Sequence, residues 1–124
     1  MKKKLILFVD DEKRVLEVFR VGLEEKGYDV ITAETGAEAL EVLNTYTPDL
    51  IIADLRMLPM NGFELFQEVK KNVKLASIPF FFLTAVNDYL AQKYGSKLGV
   101  DAYITKPVDI EDLDSLIKDT FSEK

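Results

Sequence analysis

Short apolar runs recur along the chain, separated by longer stretches in which apolar residues return every three or four positions. The runs are Leu5–Val9, Tyr28–Ala33, Leu50–Ala53, Pro79–Thr84 and Ala102–Thr105. The central ones are continuously apolar rather than alternating, the pattern of parallel strands covered on both faces. Between them, Val15, Leu16, Phe19 and Leu23 mark one face of a first helix that Gly27 closes with a left-handed cap. Thr35-Gly36-Ala37-Glu38 has the form of a capping box opening a second helix with Leu40 and Leu43 inward, and Asn61-Gly62-Phe63-Glu64 opens a third. Leu90, Tyr94 and Leu98 space a fourth, and Ile110, Leu113, Ile117 and Phe121 a fifth. Strand and helix therefore alternate as (βα)5, and right-handed crossovers make this an α/β, doubly wound parallel sheet with helices on both faces.

Three acids stand where two of these strands end. Asp10 and Asp11 follow the first run and Asp54 follows the third. A carboxylate leaving an apolar strand is penalised by desolvation unless a cation or several donors compensate it. If the two strands are neighbours, the acids meet at the carboxyl edge of the sheet, where open α/β sheets place their ligand sites. Such a cluster invites Mg²⁺ or Mn²⁺, hard ions that accept one or two carboxylates and leave room for phosphate. A helix N-cap would account for one of Asp10 and Asp11 and leave the other without a role. Asp54 precedes Leu55-Arg56-Met57-Leu58-Pro59, which does not begin a helix. Thr84 and Lys106-Pro107 add a hydroxyl and an ammonium at the ends of the fourth and fifth strands, and that proline is a candidate for a cis bond.

Size and composition narrow the chemistry. The 124 residues suffice for one domain, expected to span 1–124 without a second, and the balance of 16 basic against 22 acidic residues, net −6, argues against a nucleic-acid surface. Cysteine and histidine are both absent. That removes disulfides, thiolate or imidazole metal sites and a Ser-His-Asp triad. Met1-Lys2-Lys3-Lys4 leads into only five apolar residues before Asp10. A secretory signal needs roughly 7–15, so a cytoplasmic protein without a membrane span is expected.

In order and spacing, several segments resemble the receiver domain of two-component response regulators over essentially the whole chain: Val9-Asp10-Asp11-Glu12, Asp54 with Met57 and Gly62 downstream, Leu83-Thr84-Ala85, Gly99-Val100-Asp101-Ala102-Tyr103 and Lys106-Pro107. The resemblance implies a flavodoxin-like sheet in the order 2-1-3-4-5. It makes Asp54 the phosphoacceptor, taking a phosphoryl group from a phosphohistidine on a sensor histidine kinase or phosphotransfer protein. Asp11, Asp54 and the Arg56 carbonyl would ligate Mg²⁺ or Mn²⁺ directly, and Asp10 through water. Thr84, the Ala85 amide and Lys106 would contact the phosphoryl oxygens, and Thr84 with Tyr103 would form a switch in which the ring turns inward as the threonine moves. The output surface would be the fourth helix, fifth strand and fifth helix, read by a downstream protein. This fits the physics of phosphoryl transfer, which needs alignment and charge neutralisation above all.

The chain departs from the family's pattern at three places. Leu58 stands where proline is usual, with Pro59 one residue later; Val108 stands where phenylalanine is frequent; and Ala102 and Leu116 replace an aspartate and an arginine typical of the DNA-binding subfamily, which weakens an ion-paired dimer. Other readings compete. A Mg²⁺-dependent phosphohydrolase with an aspartyl nucleophile commonly carries a second acid two residues on, where Arg56 stands. A flavin-binding relative needs a hydroxyl- and glycine-rich phosphate loop where Asp10-Asp11-Glu12 would repel the phosphate. A receiver-like module that binds without being phosphorylated has no need of the acceptor, acids, hydroxyl and lysine that are all present.

Overall fold

The computed structural model describes residues 2–85 and 100–122. In chain order it contains β1 (Leu5–Val9), α1 (Lys13–Glu25), β2 (Asp29–Ala33), α2 (Gly36–Thr45), β3 (Leu50–Asp54), α3 (Gly62–Lys71), β4 (Phe80–Thr84), β5 (Ala102–Thr105) and α4 (Ile110–Ser122). The helix expected around Leu90, Tyr94 and Leu98 lies outside the described residues. The strands form one parallel sheet in the order β2-β1-β3-β4-β5, the expected fold.

The continuous apolar runs are explained by the two covered faces. Side chains alternate across a strand, so each central strand feeds two separate cores. Leu7, Val9, Ile51, Ala53, Phe80 and Phe82 pack under α2 and α3 with Leu43, Phe63, Phe66 and Val69. Ile6, Phe8, Leu50, Ile52, Phe81 and Leu83 pack under α1 and α4 with Leu16, Leu23, Leu113 and Ile117. Phe63 and Phe66 meet Phe82 and Phe80 edge to face at 5.2 and 5.1 Å between ring centres, an arrangement that adds to burial.

Local signals set the helix ends. Gly27 has φ +99°, as the α1 terminus requires. Asn61 and Glu64 form the full reciprocal capping box of α3. At α2 the box is shifted by one residue: Thr35 accepts from the Glu38 amide, while the Glu38 carboxylate receives the Glu34 amide rather than that of Thr35. The second apolar run begins one residue late as a strand. Tyr28 instead turns inward, and its hydroxyl donates to the buried Asp114 carboxylate at 2.6 Å.

Asp114 also pairs with Lys118 on the next turn of α4. Burial pushes its carboxyl upward, but the bonds from Lys118 and Tyr28 outweigh that and hold it below the usual carboxylate range. Two further acids close strand starts from a distance: the Asp49 carboxylate accepts the Leu5 amide and the Asp101 carboxylate the Phe80 amide, both at 2.8 Å. Replacing Asp114 by alanine strands the Tyr28 hydroxyl and should cost about 1–3 kcal/mol of stability in urea denaturation at neutral pH. Because the native carboxyl is depressed, its contribution is present above the ordinary carboxylate range and lost as pH falls through the native value. The gap between Asp114→Ala and the parent chain should therefore narrow in acid.

Candidate functional site

β1 and β3 are adjacent, with Val9 level with Ala53. The next residue on each is an aspartate, Asp10 just past the end of β1 and Asp54 the last residue of β3. Asp10 is buried and Asp54 is 7% exposed, whereas Asp11 lies at the surface. Carboxylate oxygens of Asp10, Asp11 and Asp54 come within 4.8 Å of one another. The register of a parallel pair has thus turned two separate strand ends into one acidic cluster.

Neither aspartate of the first loop caps α1. The N-cap is Glu12, without a side-chain bond, and the Asp10 carboxylate instead accepts the Glu12 amide at 2.9 Å within the loop. The Arg56 amide approaches Asp54 Oδ1 at 3.4 Å, a long contact. Lys106 Nζ stands 3.4 Å from Asp54 Oδ1 and 3.5 Å from Asp10 Oδ2. Its backbone amide donates to the Thr84 carbonyl at 2.8 Å, which anchors the lysine to the end of β4. The Lys106-Pro107 bond is cis, as expected, and Leu58-Pro59 is cis as well.

Three carboxylates face one ammonium, and the titration behaviour follows. Burial raises the pKa of Asp54, with Asp10 adding to the rise and Lys106 opposing it. Burial likewise raises Asp10, with the Glu12 amide and Lys106 opposing and Asp11 adding. Lys106 loses solvation, but Asp54 and Asp10 outweigh this and raise its pKa. A hard divalent cation would relieve the excess negative charge, and oxygen donors alone are what such an ion takes. The residues fit one.

Gly62 is the residue that brings α3 against this cluster. A Cβ there would stand 2.7 Å from the Asp54 carbonyl oxygen and 2.9 Å from Leu55 Cα. The Gly62 amide donates to the Leu55 carbonyl at 2.9 Å. The departure at Leu58-Pro59 is absorbed outside this contact, in an exposed turn where Leu58 is 81% accessible. A cavity of about 340 Å³ opens there, lined by Asp11, Arg56, Met57, Leu58, Pro59 and Asn61.

The remaining site candidates gather at the same edge. Thr84 is buried at the end of β4, where among the described residues its hydroxyl makes a 3.4 Å contact to the Ala85 carbonyl, and Ala85 is exposed beside it. Tyr103 lies one strand further out with its ring packed on Phe82. Val108 is half-buried against the α1–α4 core, as are Ala102 and Leu116. The carboxylates of Asp49, Asp101 and Asp114 escaped sequence reasoning because their partners lie 44, 21 and 86 residues away. Asp49 and Asp101 each directly precede a strand, which was the available signal; Asp114 lies within α4 and carried none.

A doubly wound parallel sheet with an acidic cluster, hydroxyl and lysine at its carboxyl edge is the architecture of a phosphoryl-accepting signalling domain. Residues 6–118 match the response regulator receiver domain family, and the chain belongs to that family. It is 39% identical over 118 residues to the transcriptional regulatory protein GlrR of Escherichia coli K12, covering 95% of this chain and 26% of GlrR. It is 36% identical over 118 residues to the alkaline phosphatase synthesis transcriptional regulatory protein PhoP of Bacillus subtilis, covering 95% of this chain and 48% of PhoP. The chain thus spans between about a quarter and a half of these relatives. A putative response regulator from Chloroflexus aurantiacus has a solved structure that superposes with a TM-score of 0.90 at 30% identity, covering 98% of this chain and all of that one. Receiver domains bind Mg²⁺ at an acidic pocket and are phosphorylated by histidine kinases or phosphotransfer proteins.

The raised carboxyls carry a stability consequence. A carboxyl raised in the native state favours folding most fully below its unfolded pKa, and that contribution is lost as pH rises through the native value. In metal-free buffer near neutrality, Asp54→Asn should therefore increase the urea midpoint, with Lys106 retaining Asp10 as partner. Parent and variant should converge in acid. A decrease at neutral pH would mark Asp54 as a structural residue.

Proposed function

We propose that this chain is a phosphoacceptor switch in which Asp54 takes a phosphoryl group from a partner's phosphohistidine. The observation that supports this most is Asp54 itself, a buried carboxylate at a strand end, held among two acids and a lysine with α3 pressed against its backbone. An Asp54 oxygen attacks phosphorus, the new O–P bond forms as the P–N bond to imidazole breaks, and the imidazole leaves with the bonding pair. The chain has no histidine and so cannot supply that donor itself.

In this reading Asp11, Asp54 and the Arg56 carbonyl hold Mg²⁺ or Mn²⁺, with Asp10 acting through water. The ion supplies charge neutralisation for the transferring group. Lys106 exchanges its contact with Asp54 Oδ1 for a phosphoryl oxygen, and the Thr84 hydroxyl and Ala85 amide donate to the others. The new charge, about −1.5 to −2, draws Thr84 toward Asp54, and Tyr103 responds. A phosphorylated receiver is an ensemble shifted between existing arrangements. Ala102 and Leu116 are half-buried and carry no charge, so the surface around β5 and α4 suits a different protein better than a second copy of the chain. The reading treats residues 1–124 as one receiver domain acting in the cytoplasm. No helix among the described residues is long and apolar enough to cross a membrane.

Metal binding should be weak and should depend on Asp11. Calorimetric titration of Mg²⁺ should show a clear loss of affinity in Asp11→Ala, and equal binding would remove this site. Incubation with Mg²⁺ and acetyl phosphate should add one acid-stable, base-labile phosphoryl group. Peptide mapping should place it on Asp54; a label on Thr84 or another hydroxyl would overturn the mechanism. Steady turnover of an external phosphoester would point to the phosphohydrolase reading instead.

A further inference from the structure

The junction between β2 and α2 supplies no carboxylate to the acidic cluster, yet it touches both loops that surround it. On one side, the Asp10 amide donates to the Ala33 carbonyl at 3.1 Å. On the other, Gly36 meets Met60. A Cβ on Gly36 would stand 2.5 Å from Met60 Sδ, 2.9 Å from its Cγ and 3.0 Å from its Cβ. Gly36 is buried and has no positive φ, so its backbone suits any residue. The close approach of Met60 is what a side chain at this position would violate.

Both partners are held from behind. The Thr35 hydroxyl accepts the Glu38 amide at 3.0 Å and the Glu38 carboxylate accepts the Glu34 amide at 2.7 Å, which pins the first turn of α2. Met60 directly precedes Asn61, whose amide donates to the Glu64 carboxylate at 2.9 Å in the cap of α3. Between Leu55 and that cap, Met57 is buried and Met60 half-buried on the core, whereas Arg56, Leu58 and Pro59 are exposed. The loop that carries the Arg56 carbonyl is therefore seated through its two methionines. Turning Met60 Sδ and Cγ aside would still leave the 3.0 Å approach of its Cβ, whose place the backbone sets. A methyl at position 36 consequently pushes on the loop itself, since a packed interior has little slack to absorb it.

We propose that the β2–α2 junction sets the spacing of the two loops around the acidic cluster, with Gly36 and Met60 as its positioning pair. Ala33 holds the loop of Asp10 and Asp11, and Gly36 holds the loop of Arg56. The junction thereby fixes where the Arg56 carbonyl stands relative to Asp11 and Asp54. The proposal rests on the reading in which that carbonyl is a metal ligand; neither Gly36 nor Met60 touches the ion. Mg²⁺ demands near-ideal geometry, and groups that orient its ligands from behind change metal affinity without contacting the metal.

The test follows Mg²⁺ affinity, the metal-free ¹H–¹⁵N signals of Leu55, Arg56 and Met57, and the urea midpoint, all in the full chain. Gly36→Ala should weaken Mg²⁺ binding roughly tenfold and displace those metal-free signals. Met60→Ala removes the two atoms nearest position 36 and leaves the loop without its seat, so it should show a loss of similar size. In Gly36→Ala/Met60→Ala the added methyl enters the space the methionine leaves. Affinity should then return to within about threefold of the parent, far from the product of the two single losses, as expected of residues in contact. Met60→Leu keeps the contact and should bind Mg²⁺ like the parent. A lower urea midpoint with unmoved signals and unchanged affinity would reduce the pair to ordinary packing and overturn the proposal, as would single losses that simply multiply in the double variant. If the parent bound Mg²⁺ no better than Asp11→Ala, the metal reading would fall by itself. The metal-free signals would still decide the role of the junction: displacement in Gly36→Ala with recovery in the double variant upholds it, and unmoved signals overturn it.

Discussion

Everything at the carboxyl edge depends on like charges being forced together by strand register. Val9 sits level with Ala53, so the two following aspartates cannot avoid each other, and burial removes the solvent that would screen them. Lys106 offsets part of this from 3.4 and 3.5 Å. The pairing is strained in the electrostatic sense: the native state keeps a site of excess negative charge that two apolar cores have to hold closed. Such an excess of carboxylate oxygens is what a hard divalent ion would offset. A sheet stabilised on both faces can carry such a cluster because the residues one step back, Val9 and Ala53, are fully buried.

The site is also supported from its far side. α3 begins with a complete capping box, and Gly62 allows its first turn to lie against the Asp54 carbonyl. Strand end and helix start are therefore packed directly on each other, and the irregular turn at Arg56–Met60 lies between them. Leu58 lies exposed in that turn, away from the close approach of Gly62 to the Asp54 carbonyl. Substitutions in the exposed part of that turn alter what approaches the site, whereas a side chain at Gly62 alters the site itself.

Much of this was legible in the residues. Continuous apolar runs require two covered faces, and periodic stripes such as Leu16 with Leu23 or Leu113 with Ile117 reveal the helices that cover them. The acids at the ends of two runs are visible as misfits, since a carboxylate after four or five apolar residues has no packing role. Contacts set by tertiary proximity were not legible. Nothing in the local pattern around Asp114 separates a buried acceptor for Tyr28 from an ordinary surface acid, and its neighbours Asp112 and Glu111 are exposed. One of Asp10 and Asp11 was a candidate helix cap, but the N-cap is Glu12 and the Asp10 carboxylate serves its own loop. The direction of the Tyr103 ring likewise depends on Phe82 across the sheet rather than on neighbours in the chain.

Lys4 extends its ammonium over the ring of Phe121 at 5.2 Å. The entry to β1 and the last turn of α4 consequently meet at the amino edge of the sheet, the pole opposite the carboxylates. The central strands are five residues long, so roughly 16 Å of packed sheet separates the two poles. A reporter or a fused segment at either end would leave the acidic cluster open to a partner. It would also be out of direct reach of any charge placed on Asp54, and could sense that charge only through a shift in the strands and helices between.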